Sequence, residues 1–415
     1  MKTKFRIYHF LILAGLLFSL YRVHMAYQWV EKLAALDDHP AVKLIFLDPS
    51  ICTYNTGVFL ALCTSKTDIV AIEDAVPGDL GYMLLSSIIT SFEKRPLTKA
   101  DAVRVNIWLS WAGVIFLAIA LMVANLKSTA IITVFIGSYF IKGEKILMDY
   151  YGGIFAVFCI ALGVVIFFTL ANNRNYYRYR TLFLLISLFS LMWVLLLREP
   201  IGQIGMASTL FVLIINLVKE RAKWPRKVLK YGVMVLMIYS ITLAPSALLS
   251  ARDLIWHIPQ GNGYKYPKHA ISHSLLIGLG TPPAPNSWGI TRSDKTGVEI
   301  MKNIDPDVIY ASKKYYTILW KIYLQMFIAQ PLEIINIYWH NIMITLGSAT
   351  NIMNYRFYIG SLFVLIIVVP IRLKGQLKRV LNNDAGVRAG ILFSIYAGSI
   401  ISSLVCRCGR DWVCS

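Results

Sequence analysis

The chain reads as an all-α polytopic membrane protein, with about nine transmembrane helices and two long extracytoplasmic loops bearing interfacial helices. Three observations predict this. Of 415 residues, 57% are hydrophobic and 15% charged, and the mean hydropathy is +0.60, whereas about a quarter of a soluble domain is charged. Apolar runs recur that match a hydrocarbon core about 30 Å thick, which takes roughly 20 residues at helical rise. Lys and Arg gather in short loops between those runs, as cytoplasmic loops require.

The apolar runs are 8–26, 105–125, 152–171, 181–197, 205–218, 229–249, 356–371 and 388–405. Residues 129–141 (TAIITVFIGSYFI) are short for a span but must cross if the loop charges are to alternate. The N-terminal stretch has a basic start and an apolar middle, as a cleaved signal peptide does. Its apolar part is long, no small-residue cleavage site follows, and Tyr21, Tyr27 and Trp29 form an interfacial aromatic belt. It therefore reads as an uncleaved first span. The ending CRCGRDWVCS reads as an arbitrary stop, with the expectation that the natural chain continues or was truncated.

Orientation follows from the basic loops. Lys2, Lys4 and Arg6 precede the first span; Arg174, Arg178 and Arg180 follow the fourth; Lys219 to Lys230 follow the sixth; Arg372 to Arg388 precede the last. With all four inside, the N-terminus is cytoplasmic, the host is the plasma (inner) membrane, and the segments 26–104 and 250–332 lie outside. Residues 331–347 then cannot cross, and Glu333, Asn336, His340 and Asn341 interrupt their apolar face, so they read as an interfacial helix. Three parts result: 1–249 with seven spans and the first outer loop, 250–350 with interfacial helices, and 351–415 with two spans and a tail. The net charge of +19 is spread over membrane-flanking loops, which argues against nucleic-acid binding. No Walker motif, glycine-rich dinucleotide loop or His-Glu-x-x-His is present, so ATP-driven transport and zinc proteolysis have no support.

The first outer segment concentrates acids, ending in Glu73, Asp74 and Asp79 of AIEDAVPGDLGYMLL. Pro77-Gly78 makes a turn that sets Asp79 at the start of a helix through Tyr82 and Leu85. There Asp79 either caps the helix or is a carboxylate at the membrane boundary. Partial burial would raise its pKa and suit it to take a proton from a sugar hydroxyl. Cys52 and Cys63 lie in the same segment and could pair, and Phe92 to Arg104 reads as a solvated entry to the second span. Asp149, between the third and fourth spans, either pairs with Lys142 or Lys145 or is used. Arg198, at the turn between the fifth and sixth spans, either pairs with Glu199 or offers its planar fork to a lipid phosphate.

In the second outer segment, Arg252 and His257 lie near the membrane surface. His269 and His273 share one helix face at i, i+4. That pair is a weak zinc case, an imidazole pair for phosphate, or a helix surface without a role. No cofactor is called for; a divalent metal stays open. Trp288, in the loop GLGTPPAPNSWGI, is available to stack on a sugar face, and Tyr310 to Leu324 read as an amphipathic helix on the outer surface.

The pattern resembles the GT-C superfamily of multi-span glycosyltransferases. The resemblance rests on the acids of the first outer loop (Glu73, Asp74, Asp79), the Arg198-Glu-Pro turn opening a span, and the large loop after the seventh span. The stretch carrying His269, His273, Gly278, Gly280, Asn286 and Gly289 is similar to one in bacterial multi-span proteins grouped with that superfamily. What the resemblance implies is inverting sugar transfer from a polyprenyl-phosphate donor to a glycan or lipid acceptor outside the membrane. Asp79 would be the base, with Glu73 or Asp74 as its alternate, and Arg252 with His257 or His269 would sit at the phosphate. The rival readings are a lipid or solute carrier, which should show broken helices at mid-membrane, and a non-catalytic membrane subunit.

Overall fold

The computed structural model describes residues 2–32, 43–63, 69–71, 80–139, 141, 154–219, 224–258, 271–280, 286–291, 294–308 and 312–351. Within them the chain is almost wholly helical. The helices of the main bundle are α1 (Lys2–Lys32), α4 (Lys99–Val123), α5 (Lys127–Tyr139), α6 (Ile154–Asn172), α7 (Arg180–Leu197), α8 (Glu199–Lys219) and α9 (Trp224–Ile241). Between α1 and α4 lie a π-helical turn (Lys43–Leu47), α2 (Asp48–Thr56), a hairpin of β1 (Ala61–Cys63) and β2 (Ile69–Ala71), and α3 (Leu80–Glu93). After α9 come α10 (Ala244–Trp256), α11 (Ile271–Gly278), α12 (Asp294–Ile304), α13 (Lys313–Ala329) and α14 (Pro331–Asn351).

Five helices are long and apolar enough to cross a membrane, and seven if two bent pairs each count as one span. The protein is membrane-embedded. Apolar side chains on α1, α7 and α9, such as Phe10, Phe189 and Leu229, stay exposed for lipid to cover. Helix α6 is apolar all round and packs along both α4 and α7, which makes it the centre of the bundle. Its Val157, Val164 and Phe168 share one core with Leu191 to Leu197 of α7, Val212 of α8 and Met234 of α9. The α4–α6 crossing depends on Gly113: a Cβ there would lie 2.6 Å from the Ala156 carbonyl oxygen. Small residues at helix crossings are how membrane helices gain dispersion contact without a hydrophobic drive between them.

Two expected spans take a different form. The run 129–141 yields a helix of 13 residues that packs against α1 and α4. At 1.5 Å per residue it reaches about 20 Å, short of a full crossing by itself. The run 229–249 is no single helix. It breaks at Thr242–Leu243, and α9 and α10 meet at a 50° bend with Pro245 in the first turn of α10. Proline has no N–H to continue the ladder, and its ring clashes with the preceding turn. The runs 356–371 and 388–405 lie outside the described residues.

The entry to α4 is more ordered than a solvated stretch. Asp101 is buried and closes a capping box with Thr98, whose backbone N–H donates to it at 2.8 Å. Arg95 and Arg104 then bond its two oxygens, at 2.8 Å and 3.0 Å. Above this entry the Arg104 guanidinium sits 5.8 Å over the Tyr27 ring, and Trp108 donates to the Tyr27 hydroxyl, tying α1 to α4.

Residues 271–341 build a second core from α11 to α14: Leu276, Leu279, Ile290, Met301, Tyr315, Leu319, Ile334 and Ile337. Helices α13 and α14 meet at a 105° elbow.

Candidate functional site

The segments 26–104 and 250–332 meet where α10 ends against the hairpin. Helix α2 begins with Asp48-Pro49, and its C-terminus turns at Gly57, which holds φ +74°. A Cys52–Cys63 disulfide closes the loop, with 5.1 Å between the Cα atoms. This is the pairing the sequence left open. Hydroxyl groups bind α2 to α3 beneath it: Ser50 lies 2.7 Å from Thr90 and accepts from the Leu97 N–H, while Thr53 lies 2.9 Å from Ser87. Such a network keeps buried polar groups satisfied, where an unmet one costs about 1–3 kcal/mol.

Arg252 enters this junction from α10 and is only 2% exposed. Its Nη1 donates to the Leu60 carbonyl at 2.8 Å, and its Nε and Nη2 both donate to one carboxylate oxygen of Asp253, at 2.9 and 2.6 Å. Leu60 holds φ +55°, a left-handed conformation costly for a branched side chain. Around it Trp256 stacks on Phe59 at 5.6 Å, and Ile258 joins the small core of Cys52, Val58, Ala61 and Ala71. Leu249, one turn before Arg252, joins the bundle core together with Leu60, Leu80 and Leu197. Arg198 follows Leu197 and is likewise buried. The tight packing of Gly81 on the Leu196–Leu197 backbone sets the start of α3 beside that arginine's chain. Burial raises the Asp48 carboxyl above its ordinary value, with the Lys43 ammonium opposing.

The other sequence candidates are dispersed. His257 is exposed and ends α10 with φ +50°. His273 faces away from that junction into the second core, its Nδ1 2.9 Å from the hydroxyl of buried Tyr315. Gly297 of α12 packs on the same pair: a Cβ there would lie 2.7 Å from the Tyr315 hydroxyl. Trp288 is partly buried against the second core. Asn286, part of the motif carrying the resemblance, braces its loop by donating to the Leu279 and Ile290 carbonyls and accepting from the Ile290 N–H. Asp79, Glu73, Asp74, His269 and Asp149 lie outside the described residues.

The arrangement gathers one buried guanidinium, its carboxylate and the carbonyl of a left-handed leucine at the joint of the two segments. Asp253 and Leu60 were not singled out by sequence. Their signal was the Arg-Asp dipeptide at the end of an apolar run, which is too common to point to a partner 192 residues away. Among the described residues, no group of three or more His, Cys, Asp or Glu could hold a metal ion. No family model, curated protein or solved structure matches this chain.

Proposed function

We propose that the chain is an integral-membrane glycosyltransferase of the plasma (inner) membrane. It would move a sugar from a polyprenyl-phosphate donor to a glycan or lipid acceptor on the extracytoplasmic face. In this reading nine spans cross, the N-terminus is cytoplasmic, and both outer segments face one compartment. A disulfide in the first segment supports that sidedness, because such bonds persist in oxidising compartments.

The observation that carries the reading is the junction at Arg252. It brings the second outer segment onto the first at the edge of the lipid-embedded core. A lipid-linked donor needs a cation at the membrane boundary to take up charge on the leaving phosphate. Asp79, with Glu73 or Asp74 as alternate, is the base; Arg252 with His257 or His269, and Arg198 nearby, bind the phosphate. Membranes carrying wild type, Asp79→Asn or Arg252→Lys, given radiolabelled polyprenyl-phosphate sugars, test these roles. Asp79→Asn should lower transfer by about 10²–10⁴-fold, the range for a general base; undiminished transfer removes Asp79 from the mechanism.

A second reading, a non-catalytic membrane subunit, is favoured by one specific observation. Every donor nitrogen of Arg252 already has a protein partner, so a phosphate would have to displace Asp253. If Arg252→Ala unfolds the protein while wild type transfers none of the lipid-linked sugars, that reading stands.

A further inference from the structure

We propose that the elbow between α13 and α14 is a membrane-docking edge whose occupant is the lipid leaflet, with α14 lying along the surface and α13 rising from it. The two helices do not form a span. Both arms are fastened to the same short helix, α11: Ser272 donates to the Tyr316 carbonyl and His273 meets Tyr315 on one arm, while Tyr338 donates to the Leu275 carbonyl and Asn341 to the Gly278 carbonyl on the other. The corner is fixed as well, since Ser287 bonds both Gln330 and Glu333. A pair of helices held near the start of α13, midway along α14 and at the corner by one eight-residue helix and its loop folds back on itself.

Opposite this packed face runs an exposed apolar stripe. On α13 it comprises Trp320, Leu324 and Ile328, and on α14 Leu332, Ile335 and Trp339, at helical spacing on each. Ile328 and Leu332 at the corner are 78% and 80% exposed, as bare as lipid-facing Leu229 of α9 at 71%. Aliphatic residues therefore occupy the apex and a tryptophan stands at each end, the order that suits a headgroup–acyl boundary, where indoles sit at the polar level. Chain length keeps the far end of α14 close to the next apolar run. The sequence enters the apolar run 356–371 five residues after α14 ends, at most about 18 Å of extended chain.

The test uses single free cysteines on the full chain in proteoliposomes, with Cys159 changed to Ala, Cys406, Cys408 and Cys414 to Ser, and the Cys52–Cys63 bond kept. Spin labels at Ile328→Cys and Leu332→Cys should collide with oxygen in preference to a water-soluble nickel chelate, several-fold more than labels at Glu299→Cys. An impermeant thiol reagent should reach Lys314→Cys and His340→Cys from one face. Equal nickel access at 328, 332 and 299 overturns the proposal. So does labelling of 314 and 340 from opposite faces, the mark of a span. Cross-linking of the Ile328→Cys variant between copies, with neither probe favoured, would assign the elbow to a second copy and overturn it too.

Discussion

Arg252 and Asp253 are adjacent in sequence, so their mutual bond is local; what makes the pair structural is that both are drawn out of water together. Breaking a buried pair by removing one partner costs about 3–5 kcal/mol, because the survivor keeps its desolvation penalty. Arg252→Ala should therefore unfold at clearly lower denaturant in detergent, and Arg252→Lys should recover only part, lacking the planar fork. The His273–Tyr315 contact makes a sharper test. Gly297→Ala pushes a methyl to 2.7 Å from the Tyr315 hydroxyl, an overpacking of about 1–3 kcal/mol. Tyr315→Phe removes that hydroxyl at a cost of about 1 kcal/mol for its hydrogen bond. The double variant should then be more stable than the sum of the single effects, and strict additivity would show that positions 297 and 315 do not touch. Asp305 supplies a pH test. Hydrogen bonding from Lys314 holds its carboxyl below the ordinary carboxylate range. A lowered folded value means the contribution is complete above the unfolded pKa, about 3.9, and fades as pH falls through the lower folded value. Asp305→Asn should flatten that acid limb by losing, at neutral pH, the small contribution of an exposed pair, and should match wild type at pH below the folded value.

At the scale of elements, the helices were legible wherever hydropathy alone decides. The core of α6 and the placement of α3 after Pro77-Gly78 follow from composition and turn chemistry. The break between α9 and α10 was not legible, although Pro245 was in view. Hydropathy averages over side chains and is blind to a missing backbone donor in the middle of an apolar run. The Thr98–Asp101 box was equally hidden, because acids and bases before a span look solvated until their mutual geometry is known. Gly113 is the element-scale hinge of the bundle: Gly113→Val should force α4 and α6 apart against the Ala156 backbone. We expect a loss of several °C in thermal unfolding in detergent, and Gly113→Ala to fall between it and wild type.

At the scale of the molecule, the sequence marked off the two long mixed segments but not how they meet. The candidate site illustrates the limit. Arg252 was singled out for its charge, yet its carbonyl partner lies on Leu60, and nothing in either neighbourhood encodes the other. The Cys52–Cys63 pairing was foreseeable because both thiols fall in one short loop. By the chain-entropy relation its loss should cost about 3 kcal/mol, measurable as a drop in unfolding midpoint for the Cys52→Ser, Cys63→Ser double variant.

The contact from Arg252 to the Leu60 carbonyl spans 192 positions of chain, and that has a consequence for biogenesis. During synthesis the receptor half of this clasp emerges first and must wait while the bundle helices α4 to α9, and then α10, are made. Meanwhile the waiting half is a small loop with a left-handed leucine at its tip, unable to hold that shape by apolar contact alone. The cystine cross-link is what preserves it through the interval. Oxidation before α10 is made, rather than after, is then the timing that yields properly latched protein.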